Sequence, residues 1–267
     1  NSNGTVTLEN DSSIFTDNSK TTFNAGSFTA KETSLVNITN DSHFTVNGGS
    51  VVFCDESEFY MDSTSHFFVN VDGFVLFKDN ATFNTQPGSD VVILGVFIVQ
   101  NSSCTEIPEA YIEISGDFHL GDQTCLKILS SVVNVTVGGE FATFDEHDLE
   151  IFDSSFDIES GSVLFSGSTN SSVLFSNVTM NLVTGSFLVN ESAPIVILDS
   201  VVEFNSGDAS FEDQSFSDFL NSDITLSGGD LSFRDDSTST GDSSTFFIDV
   251  GTLSAEDSSQ LVYTNSM

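Results

Sequence analysis

Residues 49–77 read GSVVFCDESEFYMDSTSHFFVNVDGFVLF, which contains one complete unit of a repeat and the start of the next. Three short runs, SVVF, EFYM and HFFV, each place apolar side chains at every second position. The runs are separated by the acidic and serine-rich segments CDES and DSTS, and the pattern begins again at Gly73. Alternation with a period of two, in residues as rich in Phe and Val as these, predicts β-strands with one buried face.

Similar units cover the whole chain, and each begins at a glycine. The second residue after the glycine is apolar in all of them, and the fourth is apolar in all except the unit that carries Thr143. We call the units coils 1 to 12. Their first residues are Gly4, Gly26, Gly49, Gly73, Gly95, Gly116, Gly139, Gly161, Gly185, Gly207, Gly229 and Gly251.

Each coil also contains two polar segments that predict bends. The sixth residue after the glycine is Asn, Asp or Glu in every coil except the one with Gly167, and the eighth is usually Ser or Thr. A second serine, such as Ser42 or Ser154, lies seven residues before the next glycine in six coils. Because Asx and Ser side chains can hydrogen-bond to nearby backbone N–H groups, both segments favour corners over continued strand.

Three strands and three corners in each coil predict an all-β fold, a three-sided parallel β-helix of about twelve coils of ~22 residues. Parallel strand connections are overwhelmingly right-handed, so we expect a right-handed helix. Residues 1–267 would form a single domain, either part of a longer rod or a unit that stacks end to end, because each coil contacts only its neighbours.

The glycine with its alternating apolar pair, the acidic and serine corner and the Phe-rich third strand resemble the right-handed parallel β-helix superfamily. The resemblance is greatest to surface-displayed members, namely the passenger domains of autotransporter-type adhesins and eukaryotic extracellular β-helix repeats. It covers essentially the whole chain. Since the same superfamily contains pectate lyases and polygalacturonases, the resemblance implies the fold more firmly than the activity.

Composition restricts the partners. The chain has 40 Asp and Glu residues against five Lys and Arg, a formal net charge of −35. Such a charge repels nucleic acid, anionic membranes and uronate polymers, so we expect no nucleic-acid partner. No apolar run approaches the ~20 residues of a membrane helix, so no membrane span is predicted. The first residues do not resemble a signal peptide, so we expect the numbering to start after processing or the chain to be a fragment.

The sequence predicts no catalytic residue. A polyuronate lyase or hydrolase needs cations to hold its substrate, but the five cations lie on distant coils, at Lys20, Lys31, Lys78, Lys127 and Arg234. The densest titratable cluster is Asp145 to Asp148, where a paired-carboxylate glycosidase site could be imagined. Asp145 occupies the repeated corner position, however, so we expect a solvated turn there and no enzyme activity.

No cofactor is predicted either. His43 and His66 both follow a corner serine in adjacent coils and should stack, but two surface ligands rarely suffice to hold a metal. The stacked carboxylates of the first corner repel one another unless they are solvated, hydrogen-bonded or bridged by cations. They could attract Ca²⁺ weakly, although the repeat lacks the nonapeptide pattern of calcium-binding rolls.

The cysteines predict one disulfide. Cys104 and Cys125 both lie nine residues after the glycine of their coil, in consecutive coils, so their Cα atoms should be one ladder step apart. The alternative is two free buried thiols. Cys54 has no partner in register and is predicted to be unpaired or to bond between molecules.

Ten N-x-S/T sequons predict N-linked glycans and thus a secreted or cell-surface location, although the corner rule alone also produces some N-x-S sequences. The ten asparagines are Asn3, Asn10, Asn37, Asn40, Asn80, Asn101, Asn134, Asn170, Asn177 and Asn190.

Two adjacent coils break the alternation. Residues 74–77 and 96–99 are apolar throughout, so Phe74, Leu76, Val96 and Ile98 should point outward, with Val52 and Leu164 on the same wall. Since strands that are apolar on both faces are usually covered on both faces, these side chains predict a lateral interface. The alternative is that the segment from residue 105 to 115 folds over them.

The leading functional hypothesis is an extracellular structural glycoprotein that forms or decorates a filament, coat or adhesive stalk, associating with itself end to end or laterally. A surface adhesin or carbohydrate-binding module is the second hypothesis. A polysaccharide-degrading β-helix enzyme is the third, and it rests on fold analogy alone.

Overall fold

The computed structural model describes residues 4–266, which form a parallel β-solenoid of about twelve coils with no helix. Coils 1 to 11 each contribute a strand to three walls, separated by corners, and coil 12 contributes strands to the first two. The first wall follows the glycine and contains β1 (Thr5–Leu8), β4 (Ser27–Ala30), the second half of β6 (His43–Phe53), the second half of β8 (His66–Phe77), β11 (Val96–Val99), β14 (Asp117–Leu120), β17 (Glu140–Thr143), β20 (Ser162–Gly167), β23 (Ser186–Glu191), β26 (Asp208–Phe211), β29 (Asp230–Phe233) and β32 (Thr252–Ala255).

The second wall follows the acidic corner. It contains β2 (Ser13–Asp17), β5 (Leu35–Thr39), β7 (Glu58–Met61), β9 (Thr82–Thr85), β12 (Cys104–Pro108), β15 (Thr124–Leu129), β18 (His147–Phe152), β21 (Ser172–Ser176), β24 (Pro194–Leu198), β27 (Phe216–Leu220), β30 (Thr238–Asp242) and β33 (Gln260–Thr264).

The third wall leads to the next glycine. It contains β3 (Lys20–Phe23), the first halves of β6 and β8, β10 (Asp90–Ile93), β13 (Tyr111–Ile114), β16 (Val132–Val135), β19 (Ser155–Ile158), β22 (Thr179–Leu182), β25 (Val201–Phe204), β28 (Asp223–Leu226) and β31 (Thr245–Ile248).

Each strand pairs in parallel with its counterpart one coil later, as Phe97 does with Phe118 and Phe118 with Phe141. Because β6 and β8 continue through the third corner, the third and first walls form one 21-stranded sheet, and the second wall is a separate 12-stranded sheet. The three-sided parallel architecture predicted from the repeat is therefore confirmed.

The core is a column of inward side chains in which aromatic rings stack from coil to coil. The rings of Phe97 and Phe118 lie 5.1 Å apart, and those of Phe118 and Phe141 lie 5.2 Å apart at an angle of 10°. Phe53 and Phe77 stack in the same way at 4.5 Å. The inward rows are almost entirely buried, so apolar burial along the whole rod holds the coils together.

The first corner is set by backbone conformation. Its sixth-position residue has a left-handed φ, between 54° and 61°, in eleven coils. Asn and Asp adopt this conformation more readily than other non-glycine residues, which explains their recurrence. The eleven residues are Asn10, Glu32, Asp55, Asp79, Asn101, Asp122, Asp145, Glu191, Asp213, Asp235 and Asp257.

The serines of the two corners differ in a way that the sequence does not indicate. At the first corner, the hydroxyls of Ser34, Ser57 and Ser103 are buried and have no hydrogen-bond partner within the protein. At the second corner, the Ser222 hydroxyl accepts a bond from the backbone N–H of Ser200, 3.2 Å away in the preceding coil, and donates to a carbonyl. The second serine column therefore links successive coils. The expected bond to nearby backbone is also present, because Ser222 donates to the carbonyl of Leu220 and Ser200 to that of Leu198, although the local partner is a carbonyl and not an N–H group.

The repeated glycine is required by the spacing between coils. A Cβ atom added to Gly116 would lie 2.1 Å from the carbonyl oxygen of Gly95, and one added to Gly185 would lie 2.2 Å from that of Gly161. The obstacle in both cases is the backbone of the preceding coil, which cannot move aside as a side chain can. Neither glycine has a positive φ, so lack of room selects glycine at these positions.

Candidate functional site

Five outward apolar residues of the first wall form one continuous surface over coils 3 to 5, whereas Leu164 lies apart from them in coil 8, where it pairs with Leu188. Leu76 pairs with Val52 on one side and with Ile98 on the other, and Phe74 pairs with Val96 in the neighbouring row. All five side chains are half-buried. We call these five residues the lateral patch.

The lateral patch is uncharged although the chain is strongly acidic. Its rows continue into Ser50 and Thr29 in the preceding coils, whereas Asp117 and His119 follow Val96 and Ile98 in coil 6. The two predicted outward rows are therefore present, and their charge-free part ends at coil 6.

The alternative, in which residues 105–115 fold over the patch, is wrong. These residues belong to β12 and β13, which pair in register with the strands of coil 6 in the second and third walls. Because their backbone hydrogen bonds are used in the ladders, this segment cannot cover the first wall.

Outward apolar residues that were not predicted also occur on the second wall. Leu174 pairs with Val196, and both are half-buried and outward-facing. Residues 194–198 are apolar throughout, so the same loss of alternation that marked the lateral patch could have identified this smaller surface.

Cys104 and Cys125 lie opposite each other on the outward face of the second wall. Their Cα atoms are 4.6 Å apart, and their sulfur atoms are joined as a disulfide between coils 5 and 6. Closing a loop of this size lowers the conformational entropy of the unfolded chain, which stabilises the folded chain by on the order of 3 kcal/mol. Cys54 is free and half-buried, and its burial raises the pKa of its thiol.

The sequon asparagines within residues 4–266 are all at least partly accessible, and Asn3 lies outside the described residues. The most exposed are Asn10, Asn40, Asn80, Asn170 and Asn177. A left-handed backbone conformation accounts for several sequon asparagines without any glycan, at Asn10, Asn40, Asn80, Asn101 and Asn177. Those that lie in strands, Asn37, Asn134 and Asn190, have buried carbonyl oxygens without a partner. Glycan attachment stays a prediction, and exposure favours Asn170, which lacks the backbone explanation.

The cluster from Asp145 to Asp148 does not converge on one point. Asp145 and Asp148 are exposed, and the Glu146 carboxylate accepts hydrogen bonds from the side-chain amides of Gln123 and Asn170 in the coils on either side. His147, by contrast, is only 2% exposed. The expectation of a fully solvated turn is thus wrong for His147, whose side chain points into the corner.

His147 occupies a column that otherwise contains small residues such as Thr124 and Ser171. A Cβ atom on Gly167, in the next coil, would lie 2.9 Å from His147 Cε1. Gly167 is also the one residue that departs from the acidic or amide rule at the sixth position. Such a Cβ would lie still closer to Ser171 Oγ, at 2.5 Å, and to the Asp145 carbonyl oxygen, at 2.7 Å, so the imidazole is one of three groups that leave room only for glycine.

Burial lowers the pKa of His147, whose Nδ1 lies 3.2 Å from the Asp145 carbonyl oxygen. The unfolded chain takes up a proton there below about pH 6.5, whereas the folded chain resists it. The unfolding free energy is therefore independent of His147 protonation above that pH and decreases as the pH falls below it. As the pH decreases below 6.5, we expect the unfolding free energy of the wild type to decrease relative to that of His147→Ser, by at most about 1.4 kcal/mol per pH unit.

Urea denaturation of both proteins between pH 5 and pH 8 measures this difference. His119→Ser is the matched control, because His119 is half exposed on the first wall beside Glu140. If the pH dependence of His147→Ser equals that of the wild type, burial of the imidazole does not contribute to the pH dependence of stability.

Several carboxylates at the acidic corner have protein partners. The backbone N–H of Asn10 donates to the Glu32 carboxylate at 2.6 Å, and that of Glu191 donates to Asp213 at 3.4 Å. These bonds offset part of the repulsion that stacked carboxylates would otherwise suffer. Weak Ca²⁺ binding at this corner stays a prediction.

No helix within residues 4–266 is long and apolar enough to cross a membrane. The solenoid architecture expected from the resemblance is present, and the resemblance to adhesin-type members stays a prediction. No protein-family model, curated protein or solved structure matches the chain.

Proposed function

We propose that this chain is an extracellular structural glycoprotein without catalytic activity, whose solenoid forms or decorates a filament, coat or adhesive stalk. The observation that carries this proposal is the lateral patch, a charge-free apolar surface in a chain of net charge −35. Exposed apolar surface of this kind is typical of interaction sites.

The occupant that we propose for the lateral patch is a second copy of the same chain. Two rods that both carry a large negative charge repel each other over most of their surfaces. Over coils 3 to 5 the outward positions of the first wall carry no carboxylate, so two copies can meet there with the least repulsion and bury apolar area.

The size of the patch determines the kind of assembly. Five half-buried side chains offer much less than the ~800 Å² per partner of a standard stable interface. One contact should therefore be weak. Many such contacts along a filament reinforce one another, because each additional contact forms between rods that are already tethered.

Two further features support an extracellular location. The disulfide between coils 5 and 6 is of a kind that persists in oxidising compartments, and five sequon asparagines are exposed. Neither feature depends on the lateral patch, so location and assembly can be tested separately.

The experiment compares the wild-type chain with Phe74→Ser/Ile98→Ser after secretion from eukaryotic cells. We expect the sedimentation coefficient of the wild type to rise with concentration and electron micrographs to show rods side by side, whereas the variant stays as single rods. Leu174→Ser/Val196→Ser removes two similarly exposed apolar residues from another wall and is the control.

Single wild-type rods at every concentration, or a variant that assembles like the wild type, would overturn lateral self-association. Mass spectrometry of the same material tests the glycans at the exposed sequons, and unmodified asparagines would overturn the glycoprotein part. If the lateral patch binds a different surface protein instead of a second copy, the adhesin hypothesis replaces the filament hypothesis. Hydrolysis of a polysaccharide by the purified chain would favour the hypothesis that it is a polysaccharide-degrading enzyme.

A further inference from the structure

Two imidazoles stack on the outside of the third wall. His43 in coil 2 pairs in register with His66 in coil 3, and their ring centroids are 4.7 Å apart at an interplanar angle of 20°. The outward ring of Phe68 lies 6.3 Å from both and nearly parallel to them. The two imidazoles are therefore stacked face to face at the surface, next to an aromatic ring.

A carboxylate lies beside the two rings. Asp41 is at the second corner of coil 2, where its left-handed φ of 57° turns the chain and its backbone N–H donates to the Thr64 hydroxyl at 2.9 Å. Asp41 Oδ1 is 3.9 Å from His66 Nε2. One ligand atom each from Asp41, His43 and His66 can be chosen so that all three lie within 4.8 Å of one another.

A second carboxylate orients His66. Asp90 belongs to coil 4 and pairs in register with His66, and its Oδ2 atom lies 2.8 Å from His66 Nδ1. Because a carboxylate can only accept this bond, Nδ1 is the donor, and the neutral imidazole then carries its lone pair on Nε2, on the side of Asp41. Metal-binding histidines commonly donate their other N–H to a carboxylate in this way.

We propose that Asp41, His43 and His66 form a binding site for a divalent transition-metal ion of the Zn²⁺ type, with Asp90 as a positioning residue. Imidazole nitrogen suits Zn²⁺, Cu²⁺ and Ni²⁺, whereas Ca²⁺ and Mg²⁺ take oxygen ligands. Ligand atoms around a tetrahedral zinc are about 3.3 Å apart, so the three side chains need to close by roughly 1.5 Å. All three are accessible at the surface, and rotation of their side chains supplies this movement.

The site would join two coils, because Asp41 and His43 belong to coil 2 and His66 to coil 3. Three protein ligands leave a fourth tetrahedral position for water or for a ligand from outside the chain. Lys20 pairs with His43 on the side away from His66 and is the one nearby cation of this row. Removing that charge by Lys20→Ala should therefore leave Zn²⁺ affinity equal or higher.

The test is a titration of the full chain with Zn²⁺ in competition with a chromophoric chelator, in excess Ca²⁺ to occupy acidic surface sites. We expect one tight equivalent for the wild type and a loss of at least tenfold in affinity for Asp41→Asn, His43→Gln and His66→Gln. For Asp90→Asn we expect a loss of about 10- to 100-fold. His119→Gln, which removes another surface histidine beside a carboxylate, should bind like the wild type.

Substitution of Co²⁺ for Zn²⁺ gives an independent readout, because the visible absorption of Co²⁺ reports nitrogen ligation and coordination number. The wild type should show this absorption, and His43→Gln/His66→Gln should not. Far-ultraviolet circular dichroism checks that each variant keeps its fold. Equal Zn²⁺ binding by the wild type and the double variant, or displacement of the tight equivalent by Ca²⁺, would overturn the proposal, since carboxylates elsewhere would then hold the metal.

Discussion

Replacing Gly116 with alanine is expected to separate coils 5 and 6 locally and to cost more than about 4 kcal/mol, among the largest effects of single substitutions. The added methyl group would lie 2.1 Å from the carbonyl oxygen of Gly95 and 2.5 Å from the carbonyl carbon of Leu94. Relief requires the two backbones to move apart, which breaks parallel ladder bonds on the first wall. Hydrogen exchange of the amides in residues 95–138, together with urea denaturation, measures the loss.

Gly121→Ala is the matched control within the same coil. Its added methyl group would have one neighbour within 4 Å, the Phe144 carbonyl oxygen at 3.9 Å, which is an ordinary contact. We expect a change within about 0.5 kcal/mol. Similar stability of Gly116→Ala and Gly121→Ala would mean that the coils have more freedom to separate than their spacing indicates.

Truncating Phe83 to alanine should destabilise coils 3 to 5 by about 3 to 5 kcal/mol. Phe83 is fully buried, and its ring lies 5.1 to 5.4 Å from those of Phe59, Phe67, Phe77 and Phe97. The substitution removes apolar area and leaves a cavity lined by large rings that cannot all move inward. Urea denaturation monitored by circular dichroism measures the loss, and hydrogen exchange shows where it occurs.

Phe15→Ala provides the comparison on the second wall, because Phe15 is 67% exposed. Its removal should change stability by less than about 0.5 kcal/mol. Since each coil contacts only its neighbours, the effect of Phe83→Ala should not reach coils 9 to 12. Uniform loss of protection along the rod would contradict this local description.

The corners show where sequence patterns were informative and where they were not. The recurrence of Asn and Asp at positions such as Asp55 and Asp213 predicted a bend, and their left-handed φ angles confirm it. The predicted role of the first-corner serines, bonding to nearby backbone, is not what Ser57 does, because its hydroxyl has no protein partner. Bend formation depends on the conformational preference of one residue, whereas a hydrogen bond depends on which atoms lie within reach.

At the candidate metal site, too, the sequence pattern indicated some of the contacts and not others. The stacking of His43 on His66 followed from their equivalent positions in consecutive coils. Asp41 and Asp90 were not associated with them, since Asp41 lies on a corner and Asp90 lies one coil beyond His66 and two coils from His43. A pattern of residue types gives the ladder position of a side chain but not the direction in which a corner turns it.

The sequence by itself determined the number of coils, the three strands in each, the inward rows and the pairing of Cys104 opposite Cys125, because alternation and a repeat of about 22 residues are properties of the chain order. The tertiary structure alone decided why Gly116 must be glycine, why Gly167 accompanies a buried His147, and which carboxylates face His66. These depend on distances of 2 to 4 Å between atoms of different coils. Such distances arise only after the coils have stacked.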